Sequence, residues 1–76
     1  MNDPVNHPDH YTQGGIECID AIEAATTGLQ GAEAYNTGQV IKYMWRWKWK
    51  NGIEDLEKAR WYLDRLIREA EAADEA

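Results

Sequence analysis

From Ile53 onward, apolar residues return every third or fourth position: Ile53, Leu56, Ala59, Leu63, Leu66, Ile67 and Ala70. On a helix of 3.6 residues per turn these fall on one side, which predicts an amphipathic helix whose apolar stripe must be covered by something else. Asn51-Gly52 before it is a turn signal. Asn51 can act as N-cap, with Glu54 three residues later closing a capping box. Glu54–Lys58 and Asp64–Arg68 are four apart and suit the solvent face. Trp61 falls off the stripe, so its indole is expected to pack on something outside the monomer core.

The rest of the chain supplies little to bury that stripe. With 76 residues there is room for one domain, residues 1–76, and only a modest core. The single cysteine, Cys18, forbids an internal disulfide and fits a reducing compartment. No apolar run approaches the roughly 20 residues that span a bilayer. Met1-Asn2-Asp3-Pro4 lacks the basic and apolar segments of a signal peptide, so a cytoplasmic protein is expected. A small domain without disulfides gains most from a partner subunit, which predicts an oligomer, a dimer or tetramer.

Two more helices are expected upstream. Pro4 and Pro8 disfavour helix, and Gly14-Gly15 marks a turn, so residues 1–14 read as irregular. Ile16, Ile19, Ile22 and Ala25 are spaced by three and predict a first helix, ended at Thr26-Thr27 with Gly28 as a left-handed cap. A second helix is expected from about Ala32 to Trp49, with Ala34, Ile41, Met44 and Trp45 on one stripe and Tyr35, Val40, Tyr43 and Trp47 on other faces. Gly38 inside it is either a tolerated weak point or a place of close approach. Residues 70–76 are acidic and alanine-rich and are expected to fray. The predicted fold is all-α: a small three-helix domain with an irregular N-terminal segment, assembling as an oligomer.

Charge is unevenly distributed. The net charge of −6 argues against duplex nucleic acid as a partner. Yet residues 1–41 contain no Lys or Arg, whereas residues 42–60 carry Lys42, Arg46, Lys48, Lys50, Lys58 and Arg60 against Glu54, Asp55 and Glu57. A local cationic segment of this kind can hold one or two phosphates without drawing in polyanions. It can equally be a solvated helix end. Four tryptophans and four tyrosines stand beside no phenylalanine, a composition suited to interfaces and ligand stacking as well as to core packing.

Two segments carry candidate chemistry. In the first, His7, His10 and Tyr11 offer hydrogen bonds and stacking to a base or ribose. His7, His10, Cys18 and Asp20 are legal metal ligands, but their spacing matches no strong zinc pattern, and no metal is expected. The segment can instead simply fold over the helices. In the second, Lys42 and Arg46 lie four apart on one helix face, with Asn36 and Gln39 a turn earlier and Tyr43 and Trp45 beside them. Amides read base edges and guanidinium forks onto phosphate. The ligand-binding set is therefore His7, His10, Tyr11, Asn36, Gln39, Lys42, Tyr43, Trp45, Arg46 and Trp61. There is no phosphate loop, no GxGxxG, no Ser–His–Asp arrangement and no HExxH. No catalytic residue and no cofactor is predicted.

The strings HPDHYTQGGIECIDAIEA, AYNTGQVIKYMWRW and DLEKARWYLDRLI, in this order, resemble a small phage-encoded domain family of unknown function labelled SaV-like or "nucleotide kinase". The resemblance spans roughly residues 5–68. Gln39 departs from the pattern, which carries Asn there, so an amide contact at that position is displaced. The resemblance implies a link to nucleotides, and similarity to the anti-CBASS sponge group implies sequestration of cyclic dinucleotides such as cGAMP at subunit interfaces, without cleavage, in the cytoplasm of an infected bacterium. The alternatives are a nucleoside monophosphate kinase, or an accessory nucleotide-binding domain of one, and a protein-binding module.

Overall fold

The computed structural model describes residues 12–75. Its elements, in chain order, are β1 (Thr12–Gln13), β2 (Ile16–Glu17), α1 (Cys18–Ala25), α2 (Gly31–Arg46), a 3₁₀ turn (Trp47–Trp49) and α3 (Ile53–Glu75). The class is all-α with three helices, as the periodicity predicts. The one departure is a two-residue antiparallel hairpin, Thr12 opposite Glu17 and Gln13 opposite Ile16. Its turn uses Gly14 and Gly15, both at positive φ, a region open to glycine without steric cost. Residues 12–14 are thus not irregular. The helical start expected at Ile16 moves to Cys18, because Ile16 and Glu17 are held in β2.

Helix α1 ends as anticipated. The Thr26 and Thr27 hydroxyls donate to the Ile22 and Glu23 carbonyls at 2.7 and 3.0 Å, and Gly28 follows with φ +85°. The Thr27 bond supplies the Glu23 carbonyl, which the last turn leaves without its helical donor, whereas the Ile22 carbonyl also accepts from the Thr26 backbone N–H. Helix α2 stops at Arg46, three residues before the expected Trp49, where the backbone tightens into the 3₁₀ turn. Helix α3 continues through Glu75, so the tail expected to fray is helical.

Helices α2 and α3 run antiparallel. Arg46 meets Asp55, Tyr43 stacks on Tyr62 and Tyr35 meets the edge of Tyr62, so position falls along α2 as it rises along α3. Helix α1 crosses α2 at Gly38: a Cβ there would stand 3.2 Å from Ile22 Cγ2. The glycine therefore marks a close approach, and what approaches is the α1 side chain.

The interior differs from the stripes read in the sequence. Among the described residues the buried apolar side chains are Cys18, Tyr43 and Ala59, and buried beside them are Asn36, Arg46 and Asp55. On α2 the buried positions are Asn36, Tyr43 and Arg46, not the stripe of Ala34, Ile41, Met44 and Trp45. On α3 the centre is Asp55 and Ala59, while Ile53, Leu63 and Ile67 remain exposed. Ile16 and Ile19 are exposed too. A polar centre with aliphatic residues around its outside is the main physical fact of this fold.

Candidate functional site

The centre is an ion pair joining the ends of α2 and α3. Asp55 is 0% exposed and Arg46 7%. Arg46 donates from Nε to Oδ2 at 3.2 Å and from Nη2 to Oδ1 at 3.3 Å, a two-pronged contact that guanidinium geometry favours. Asn51 adds its backbone N–H to Oδ2 at 3.4 Å and its side-chain amide to Oδ1 at 3.1 Å. The capping role expected of Glu54 thus belongs to Asp55, one residue later. Burial alone would raise the Asp55 carboxyl, but the bonds from Arg46 and Asn51 outweigh it and hold the group below its usual range.

Around Tyr43 the cationic segment converges. Lys42 Nζ lies 4.5 Å from the ring centroid, Arg46 Cζ 4.9 Å and Lys58 Nζ 5.6 Å, all within cation–π range. Lys42 and Lys58 come from different helices, and among the described residues neither forms a salt bridge with a carboxylate. Of the three, Arg46 is the one matched by a buried acid. On the other side of this cluster, Cys18 is buried. Burial pushes its thiol up, partly opposed by the charges of Lys42 and Arg46.

Tyr43 also begins an aromatic run. Its ring stacks on Tyr62 at 5.8 Å and 16°. Tyr62 meets Trp61 edge-on at 4.9 Å and Tyr35 at 6.1 Å. A hydrogen bond with the Tyr35 phenol, then burial, raises the Tyr62 phenol above its usual value. Two adjoining open hollows share Trp61 and Tyr62. One, of about 280 Å³, also takes in Tyr43 and Lys58. The other, of about 350 Å³, takes in Tyr35, Asn36 and Arg65. Together they form a groove along the α2–α3 seam, with Lys58 toward one end and Arg65 toward the other. Arg65 is steadied by Glu69 at 3.5 Å.

The predicted site residues divide accordingly. Asn36, Tyr43 and Trp61 line the groove, and Lys42 borders it through Tyr43. Trp61 is 55% exposed, off the core as its position outside the apolar stripe requires. Arg46 touches Tyr43 but is engaged by Asp55. Gln39 and Trp45 are half-buried on α2 and line neither hollow. The Trp45 carbonyl accepts a hydrogen bond from the Gln13 side chain, which ties the hairpin to α2. His7, His10 and Tyr11 lie outside the described residues. Six groove residues were missed: Ala32, Tyr35, Lys58, Tyr62, Arg65 and the carboxylate Glu69. Lys58 and Arg65 stand three before and four after Trp61, a pattern that could have found them.

Among the described residues no group of three His, Cys, Asp or Glu side chains is placed to hold a metal, and no helix is long and apolar enough to cross a membrane. A family model described as a protein of unknown function (DUF3310) matches residues 5–64. No curated protein and no solved structure matches the chain.

Proposed function

The chain belongs to this family, DUF3310, and we propose that it binds a small nucleotide-like anion in the α2–α3 groove without transforming it. The observation that carries the reading is the convergence of Lys42, Arg46 and Lys58 on the Tyr43 ring, with a single buried carboxylate among them. Two ammonium groups with no carboxylate partner among the described residues, set at the edge of an aromatic surface, suit a phosphate joined to a planar base. Lys42 and Lys58 take the phosphate. Trp61 and Tyr35 offer exposed ring faces for the base, and Asn36 offers an amide to its edge. In its most specific form the ligand is a cyclic dinucleotide such as cGAMP. The protein is then a phage product that sequesters this immune signal in the host cytoplasm, as an oligomer.

Calorimetry with a cyclic dinucleotide and with mononucleotides tests this. Trp61→Ala is expected to weaken binding by the roughly 1–3 kcal/mol that a base–aromatic stack supplies. Lys58→Ala and Lys42→Ala should weaken it with a reduced salt dependence. After heat denaturation the ligand should be recovered intact. A phosphorylated product would transfer the assignment to the nucleotide kinase, and no heat with any nucleotide would remove the proposal.

A further inference from the structure

The side of the α2–α3 pair away from the groove carries a run of aliphatic side chains. At 100° per residue, Leu56, Leu63 and Ile67 lie opposite Lys58, Trp61 and Arg65 on α3. On α2, Val40 and Met44 lie opposite Tyr35, Gln39 and Lys42 by the same spacing. Met44 is 51% exposed, Leu63 44% and Ile67 46%. We infer that this face docks a second copy of the same chain, giving a dimer whose two helical hairpins pack as a four-helix bundle with the grooves facing outward.

Three observations select that occupant. First, each chain is short of core: three apolar side chains are buried among the described residues, and the most enclosed side chain is an aspartate. A domain of this size gains the most from burying its remaining aliphatic surface against a partner. Second, the area suits a dimer. The five side chains expose on the order of 300–400 Å², the scale of patch that marks an interaction site. With a polar rim, such a patch forms the apolar centre of an interface of about 800 Å² per partner. Third, the composition suits self-association. The five side chains carry no charge, and the ionised groups that flank them at 100° per residue, Arg60 beside Ile67 on α3 and Glu33 beside Val40 on α2, are of opposite sign, so two copies do not meet as like charges. A two-fold interface needs only a self-complementary surface.

The inference is independent of the ligand reading, since it is read from the mass of the protein without nucleotide. Sedimentation equilibrium on the full chain at micromolar concentration should report twice 8.7 kDa. Leu63→Glu and Ile67→Glu should each return it to 8.7 kDa with helical circular dichroism retained. Trp61→Glu, on the groove side, should leave the doubled mass unchanged. Should Leu63→Glu lose helicity, Ile67→Glu, nearer the end of α3, carries the comparison. A wild-type mass of 8.7 kDa would overturn the inference, with the face then covered by this chain's own N-terminal residues or by a different protein. Dissociation by Trp61→Glu but not by Leu63→Glu or Ile67→Glu would also overturn it, by moving the interface to the groove.

Discussion

Asp55→Ala removes a carboxylate that accepts four hydrogen bonds, two from Arg46 and two from Asn51. The Arg46 guanidinium, almost fully buried, then loses the Asp55 charge. Breaking a buried pair on one side costs about 3–5 kcal/mol, most of it the desolvation of the stranded partner. At about 0.05–0.15 kcal/mol per residue, a 76-residue chain has about 4–11 kcal/mol in total. The single substitution therefore removes about a quarter of the stability at the least, and can unfold the domain outright. The double substitution Arg46→Met, Asp55→Leu removes both charges and replaces them with apolar groups. It should cost less than either single change, because such exchanges of buried pairs are often close to neutral. Urea titration followed by far-UV circular dichroism of the wild type, Arg46→Met, Asp55→Leu and the double variant measures all four corners of the cycle, and the coupling between the two sites should reach at least about 2 kcal/mol. If the single Asp55 variant lost less than about 1 kcal/mol, the carboxylate would not be holding α2 to α3 as a charge. The same double variant separates fold from function. Should it fold and still bind nucleotide, Arg46 is a clamp between helices. Should it fold and lose binding while Lys42→Ala does not, Arg46 is the phosphate cation and Lys42 is not.

Because the folded-state pKa of Asp55 is depressed, its contribution is fully present above the unfolded carboxyl value of about 3.9 and is lost as pH falls through the lower folded value; urea midpoints should be level from neutral pH to about 5 and decline below about 4. Gly38→Ala sets a helix-propensity gain of roughly 1 kcal/mol against a methyl 3.2 Å from Ile22 Cγ2. Pairing it with Ile22→Ala, which removes Cγ2, in thermal melts should turn the effect of Gly38→Ala more favourable than in the wild-type background, and an unchanged difference would show that the contact is already relaxed. Cys18 is buried with its thiol pushed up, so a disulfide exchange reagent should react slowly in the native protein at neutral pH and rapidly in urea. Equal rates would mean that α1 opens freely.

The helices were legible because each is written locally: threonines and Gly28 to close α1, the Asn51-Gly52 turn before α3, and a spacing of three and four along both longer helices. What the pattern could not give was which side of each helix faces inward. Periodicity identifies a stripe by hydrophobicity, and here the most buried side chain is Asp55, which no hydrophobic stripe can contain. Arg46 illustrates the cost of that blindness. On sequence it and Lys42 are equivalent cations four residues apart. They differ only through the opposing helix, where Asp55 meets one and not the other, a contact nine residues away along the chain. The groove was half legible for the same reason. Asn36, Lys42, Tyr43 and Trp61 could be named from residue type, but Lys58 reads as half of a solvent-face pair with Glu54, and nothing in the apolar spacing singles out Tyr62 or Arg65. The turn at 47–52 folds their side of α3 over Tyr43 and makes it the wall of a groove. It also leaves the aliphatic stripe of Leu56, Leu63 and Ile67 facing away. The stripe read as the signature of the core is therefore divided: Ala59 is buried in it, while Leu63 and Ile67 are exposed, and these two are where the proposed dimer would be tested.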